Sequence, residues 1–349
     1  MLRFILPLAC LALFCASTGP APAATADLFG VAGVAVDASA GSATAARDIA
    51  IAQGRPQAWQ RLYRRLTPSS EWPRQPQLDA ASLQSIVSGI EVGNERRSTT
   101  RYLAEITYRF NEAAVQRILR QAGVRYVETQ SRPALLIPLV EGTYDGTHAW
   151  TEAWAAPSLA SGIVPIVLPM DDAADQSILL NPNLAELDWA ALSALAQRHD
   201  VQRVVVANAA ADGSFVLVGD VTPAGARRES IAVSVTSFPA MADAVVQRIA
   251  EDWKNSAAVD YSRRSRLTAD VQFQSPADWS RVRTQLAAVR SIADMQVVAV
   301  STREARIELS YFGGVEQLRQ VMAQQYLELA PAGGNYRLRL VARATAQAQ

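Results

Sequence analysis

Three aspartates within five residues, Asp171, Asp172 and Asp175, are the densest set of potential metal ligands in this chain. They follow an apolar run, Ile163 to Leu168, that reads as a buried strand. In open α/β sheets ligands bind beyond the carboxyl ends of strands, and carboxylates with backbone oxygens suit a hard cation. A hydrolytic or metal-dependent site at this acidic loop is therefore one expectation. The plainer one is a polar loop in which Asp171 or Asp172 caps the next helix. No second acid elsewhere pairs with these carboxylates as glycoside hydrolysis requires.

A second group is aromatic. Tyr144, His148, Trp150 and Trp154 surround the start of a short predicted helix, with the two tryptophans one turn apart on one face. Such a face either packs into a core or forms an aromatic rim for a partner, a glycan or a membrane interface. His148 and His199 are the only histidines. His199 ends a predicted helix, where a basic side chain complements the helix dipole. No HExxH or paired-histidine spacing is present. No GxSxG, SxxK, P-loop or GxGxxG occurs either. Triads assembled from distant positions leave no local signature.

Arginine and lysine together number 33 and balance 33 acidic residues, so no global attraction to nucleic acid is expected. Lys254 is the only lysine. The arginine groups Arg61, Arg64 and Arg65, then Arg96 and Arg97, then Arg263, Arg264 and Arg266 read as solvated faces. Their alternative use is contact with anionic lipid or cell-wall polymer.

These residues must be positioned by three α+β modules, at 27–130, 131–260 and 261–349. In the first, a strand over Leu28 to Ala38 precedes a helix from Ala43 to Leu66, which Thr67-Pro68 stops. A short helix, a hairpin and a helix capped by Asn111 follow. The second carries continuous apolar strands and then alternating ones, as in a mixed sheet with flanking helices. Its predicted elements include strand 163–168, helix Asn183 to Arg198, and a closing helix with Met241, Val245, Ile249 and Trp253 on one face. Tyr261 to Arg266 reads as a charged linker. The third module predicts the order β-α-β-β-α-β, the ferredoxin-like arrangement, ending in a strand with Tyr336, Leu338 and Leu340 on one face.

Residues 1–26 predict export. Arg3 precedes an apolar run, Phe4 to Ala16, and then small residues. That is the layout of a signal peptide cleaved near Ala23 or Ala26. The run of about 13 residues falls short of the roughly 20 that span a bilayer, so a soluble periplasmic protein is expected. Both cysteines, Cys10 and Cys15, lie in this leader, which leaves no thiol chemistry after cleavage. A lipid anchor is disfavoured, because Pro7-Leu8-Ala9-Cys10 matches a lipidation motif poorly.

Four stretches carry a family resemblance. They are Ala58-Trp59-Gln60-Arg61-Leu62-Tyr63-Arg64-Arg65-Leu66-Thr67, Arg132-Pro133 before an apolar strand, 162–172 (GIVPIVLPMDD), and Ala196-Gln197-Arg198-His199-Asp200. In these the chain resembles an uncharacterised family of proteobacterial exported proteins, a domain of unknown function. The resemblance implies location and architecture and lends no catalytic residues. The expected function is a non-enzymatic envelope-assembly or interaction scaffold with an envelope protein partner and no cofactor. The rivals are an enzyme at the acidic loop and a small-ligand-binding protein.

Overall fold

The computed structural model describes residues 27–155, 159, 162–170, 172–181, 183–232 and 237–341. The predicted leader at 1–26 and Asp171 lie outside the described residues. The fold is mixed α+β, with three sheets that fall within 27–130, 131–260 and 261–349 respectively.

The first sheet is antiparallel, ordered β1 (Gly30–Ser39), β3 (Arg101–Phe110), β2 (Val87–Arg97). Helix α1 (Ala43–Leu66) lies on one face, started by Ser42, whose side chain accepts from the Ala45 amide. Its buried stripe runs through Ala46, Ala50, Ala58, Trp59, Leu62 and Leu66 onto Val34, Val36, Ile106 and Tyr108. Gly54 makes the close approach feasible. A Cβ there would sit 2.2 Å from the Tyr108 hydroxyl, which donates to the Ile51 carbonyl at 2.8 Å. Helices α2 (Ala80–Ile86) and α3 (Glu112–Gln121) complete the module, α3 capped by Asn111.

The central sheet has five strands in the order β5 (Ile166–Val167), β4 (Ala134–Val140), β6 (Val204–Ala209), β7 (Phe215–Thr222), β8 (Gly225–Ala232). The β5, β4 and β6 strands are parallel, and β7 and β8 are antiparallel additions. Helices α4 (Ala149–Glu152) and α7 (Phe238–Ala257) pack on one face. Helices α5 (Ala173–Leu179) and α6 (Trp189–Arg198) are associated with the other. This two-sided cover explains why Ala134 to Leu139 is buried throughout.

Two central elements differ from expectation. The strand predicted over 163–168 pairs only at Ile166–Val167. The helix predicted from Asn183 is broken into a 3-10 turn, Leu184–Glu186, and α6. Leu187 between them is left-handed, with φ of 63°, and its side chain presses on Gly219, where a Cβ would fall 2.3 Å from it. Tertiary packing overrides the helical periodicity here, and Asp188 starts α6 afresh by accepting from the Ala190 amide.

The third sheet is ordered β10 (Ile292–Val300), β11 (Glu304–Phe312), β9 (Arg264–Gln272), β13 (Asn335–Leu340), β12 (Leu327–Ala332). Helices α8 (Pro276–Ala287) and α9 (Val315–Gln324) supply Val282, Leu286, Leu318 and Met322 to its core. The split β-α-β core of the expected fold is present, with β11 antiparallel between β9 and β10. The C-terminal end departs from that expectation. A hairpin replaces the single last strand, and β13 inserts parallel to β9 while β12 takes the edge. Strand β12 is not among the predicted elements, although Leu327 and Leu329 alternate before the Gly333-Gly334 turn and are buried.

The segment read as a charged linker is a packed junction. Arg264 already belongs to β9, and the Tyr261 ring stacks on Tyr126 with centroids 5.4 Å apart. Tyr126 and Val259 pair through their backbones, joining the end of the first module to the end of α7. The Tyr261 hydroxyl donates to buried Glu128, and the Arg120 guanidinium lies 4.1 Å from the Tyr261 ring centre. Elsewhere Lys254 of α7 donates to the Arg64 carbonyl at 3.0 Å, and Arg132 lies 3.5 Å over the Tyr326 ring. Among the described residues no helix is long and apolar enough to cross a membrane.

Candidate functional site

The acidic loop folds into a closed charge network. Asp172 caps α5, its carboxylate accepting from the Asp175 amide at 2.8 Å. The Asp175 side chain is fully buried. It accepts from the Met170 amide at 2.6 Å and from Arg198 Nε at 2.6 Å, and it meets His199 Nε2 at 2.7 Å. Arg198 Nη2 also donates to Asp172 at 2.7 Å. Burial raises the Asp175 pKa, but Arg198, His199 and the Met170 amide outweigh it and hold the carboxyl below its ordinary value. With the carboxylate ionised, His199 Nε2 carries the proton and donates.

Chemically this network ties the start of α5 to the end of α6. An Asp–His pair is also half of a nucleophile-activating relay, which needs its imidazole open to a cleft. The His199 side chain is only 4% exposed. Among the described residues no three His, Cys, Asp or Glu side chains gather as a metal cluster. Asp175 and Asp172 are placed together, but their oxygens face an arginine, a histidine and backbone amides rather than an open cavity.

The aromatic group is divided between core and loop. Trp150 and Trp154 are buried, edge to face with centroids 5.1 Å apart, and Trp150 Nε1 donates to the Ala207 carbonyl. They pack beneath α7 in the central core and offer no rim to a partner. His148 caps α4 through Nδ1, which accepts from the Trp150 amide, and its ring meets Phe238 edge-on. Half-buried Tyr144 packs against the opposite face of the sheet. The four residues thus straddle the carboxyl end of β4 without converging on one surface.

The first arginine group is also structural in part. Arg61 and Arg65 donate to carbonyls at the start of β1, and Arg64 lies 5.0 Å from the Trp72 ring. Arg96 and Arg97 remain exposed along β2. Arg264 donates to Ser310, while Arg263 and Arg266 are exposed.

Two surfaces emerge that the residue types did not mark. One is an open cleft of about 410 Å³ beyond β6, lined by Glu141, Asn208, Asp212, Ser214, Phe215 and Leu217. Glu141 adopts a left-handed backbone, and the Gly142 amide donates to Asn208, which fixes the turn above the cleft. Phe215 and Leu217 continue the apolar face of the sheet past the end of its helical cover.

The other feature is a set of open edges. Each sheet ends on a strand that is exposed along nearly its whole length: β2, β8 and β10. Their alternation is broken or polar, so they read as ordinary half-wet strands. Only the sheet order shows that one side of each backbone is left for another strand. Compared with known proteins, the chain matches no family model, no curated protein and no solved structure.

Proposed function

We propose that this chain is an exported, non-enzymatic interaction scaffold of the cell envelope that holds partner strands along its sheet edges. One observation carries the reading: each of the three modules presents one edge strand, β2, β8 or β10, exposed along most of its length. An edge strand leaves a row of backbone donors and acceptors that an extended segment can complete. The groups best suited to catalysis, Asp175 and His199, are instead committed to each other and to Arg198. The leader and the resemblance to exported proteins support the compartment.

Photo-cross-linking in intact envelopes tests this. A cross-linking residue is placed at Glu91, Ser230 or Val298 on the three edges, and at Arg117 or Arg283 on exposed helical faces. Discrete adducts from the edge positions and none from the helical ones are expected. Equal labelling at both kinds of position would overturn the reading, as would turnover of an ester, phosphoester or glycoside by the purified protein.

A second reading, small-ligand binding, is favoured by the cleft beyond β6. Its volume falls in the range of ligand pockets. Glu141 and Asp212 with Phe215 and Leu217 suit a cationic group on an apolar body. A thermal-shift screen of amines and basic peptides decides it, with Leu217→Lys abolishing any stabilisation found.

A further inference from the structure

Helices α8 and α9 pack on one face of the third sheet, against Leu267, Leu309 and Met295. The residues that alternate with these point to the other face. They are Arg264, Arg266 and Thr268 on β9, Glu308 and Ser310 on β11, and Asp294 and Gln296 on β10. Together they line a cavity of about 340 Å³, a size within the range of ligand pockets. The arginines stand on β9 and the acids on β11 and β10, so its floor is positive at one end and negative at the other.

Farther along the same face opposite charges pair, Arg306 with Asp270 and Arg339 with Glu328, each at 2.7 Å. Around the cavity they do not. The side chains of Arg266 and Glu308 have no hydrogen-bond or ion-pair partner among the described residues, although they are diagonal neighbours across β9 and β11. Arg264 donates only to the Ser310 hydroxyl, at 2.9 Å, and Asp294 accepts only from Gln296, at 3.3 Å. A lone anion over this floor would meet two carboxylates, and a lone cation would meet two guanidinium groups. A zwitterion answers both ends.

We propose that this face binds a short peptide with both ends free, two or three residues long. Arg264 and Arg266 hold its carboxylate, which a guanidinium fork matches in shape as well as charge. Glu308 and Asp294 hold its ammonium group. The register sets the length. Arg266 and Glu308 are diagonal neighbours, about 7–8 Å apart at their backbones. Arg266 and Asp294 flank Ser310 in one row, two strand spacings or about 10 Å apart. An extended chain covers roughly 3.3–3.6 Å per residue, so two or three residues match those separations. The Thr268 hydroxyl and the Gln296 amide, on either side of Glu308 in its row, supply hydrogen bonds to the peptide groups between. The site uses a sheet face rather than an edge and lies in a different module from the cleft beyond β6.

Titration of the full chain with dialanine and trialanine tests this. Both should bind. Acetylating the amino end or amidating the carboxyl end should each weaken binding about tenfold or more, because each removes one charge-assisted contact. Arg266→Gln should weaken binding of the free peptides and leave that of the C-amidated ones unchanged. Glu308→Gln should do the same with respect to the N-acetylated ones. Both substitutions are at exposed positions, so melting temperatures should not move. If a variant unfolds, the comparison of free and blocked peptides on the natural protein still decides. No binding of either free peptide, or equal binding of free and blocked ones, would overturn the proposal. So would loss of binding in Leu217→Lys, which would move the peptide to the cleft beyond β6. Neither outcome bears on the edge-binding reading, whose test is the cross-linking pattern.

Discussion

Asp175 and Glu128 are both buried carboxylates, and their surroundings push them in opposite directions. Asp175 has three donors around it and is held below its ordinary value, so folding favours the ionised form. Its contribution is present at neutral pH and is lost as pH falls through the folded value, below 3.8. Asp175→Ala should cost about 3–5 kcal/mol in urea unfolding, because Arg198 and His199 lose a buried partner. Glu128 accepts from Tyr261 and lies 3.5 Å from Arg120, but its second oxygen is buried with no partner among the described residues. Burial raises its pKa above 4.5, against the pull of Tyr261 and Arg120. The folded state then binds the proton more tightly than the unfolded one, so stability falls as pH rises above 4.5. Glu128→Gln should remove that slope. The melting temperature of the variant should overtake that of the natural protein as pH rises from about 4 to 7, where unfolded glutamates titrate and beyond. Parallel curves would show that Glu128 is not the titrating group. The acidic residues of the loop were legible as a cluster from composition alone. Their use was not, because Arg198 and His199 reach them from 23 and 24 residues away.

At the scale of elements, local pattern succeeded where one face alone decides burial. Helix α1 has the bounds its periodicity predicts, and β9 and β11 alternate as read. It failed where a neighbour intrudes, as where Leu187 turns left-handed onto Gly219 and splits the helix predicted from Asn183. The contact of α1 with β3 makes a quantitative case. Gly54→Ala sets a methyl group against the Tyr108 hydroxyl and Val36, and should lower stability by about 1–3 kcal/mol. Combining it with Tyr108→Phe should recover part of that loss, since the nearest atom is the hydroxyl oxygen. A urea double-mutant cycle measures the coupling, and strict additivity would refute the contact.

At the scale of the whole molecule, the modules are joined by buried polar and aromatic contacts rather than by free linkers. Tyr261 stacks on Tyr126, donates to Glu128 and sits beneath Arg120, so it ties the third module to the first. Tyr261→Ala should cost about 3–5 kcal/mol and expose the chain between α7 and β9 to protease while the sheets persist. Unchanged proteolysis there would mean that the modules are held elsewhere. The sequence by itself determined the α+β class, the succession of most strands and helices, and the expectation of an exported chain whose cysteines are confined to its leader. Those properties follow from composition and short-range periodicity, which depend only on neighbouring residues. Tertiary structure alone decided that the tryptophans face a core, that the aspartates close on Arg198 and His199, and that three strands lie at sheet edges. Burial, ion pairing and strand order depend on residues far apart in the chain, so the same side chains could line a site or a core until the sheets were assembled.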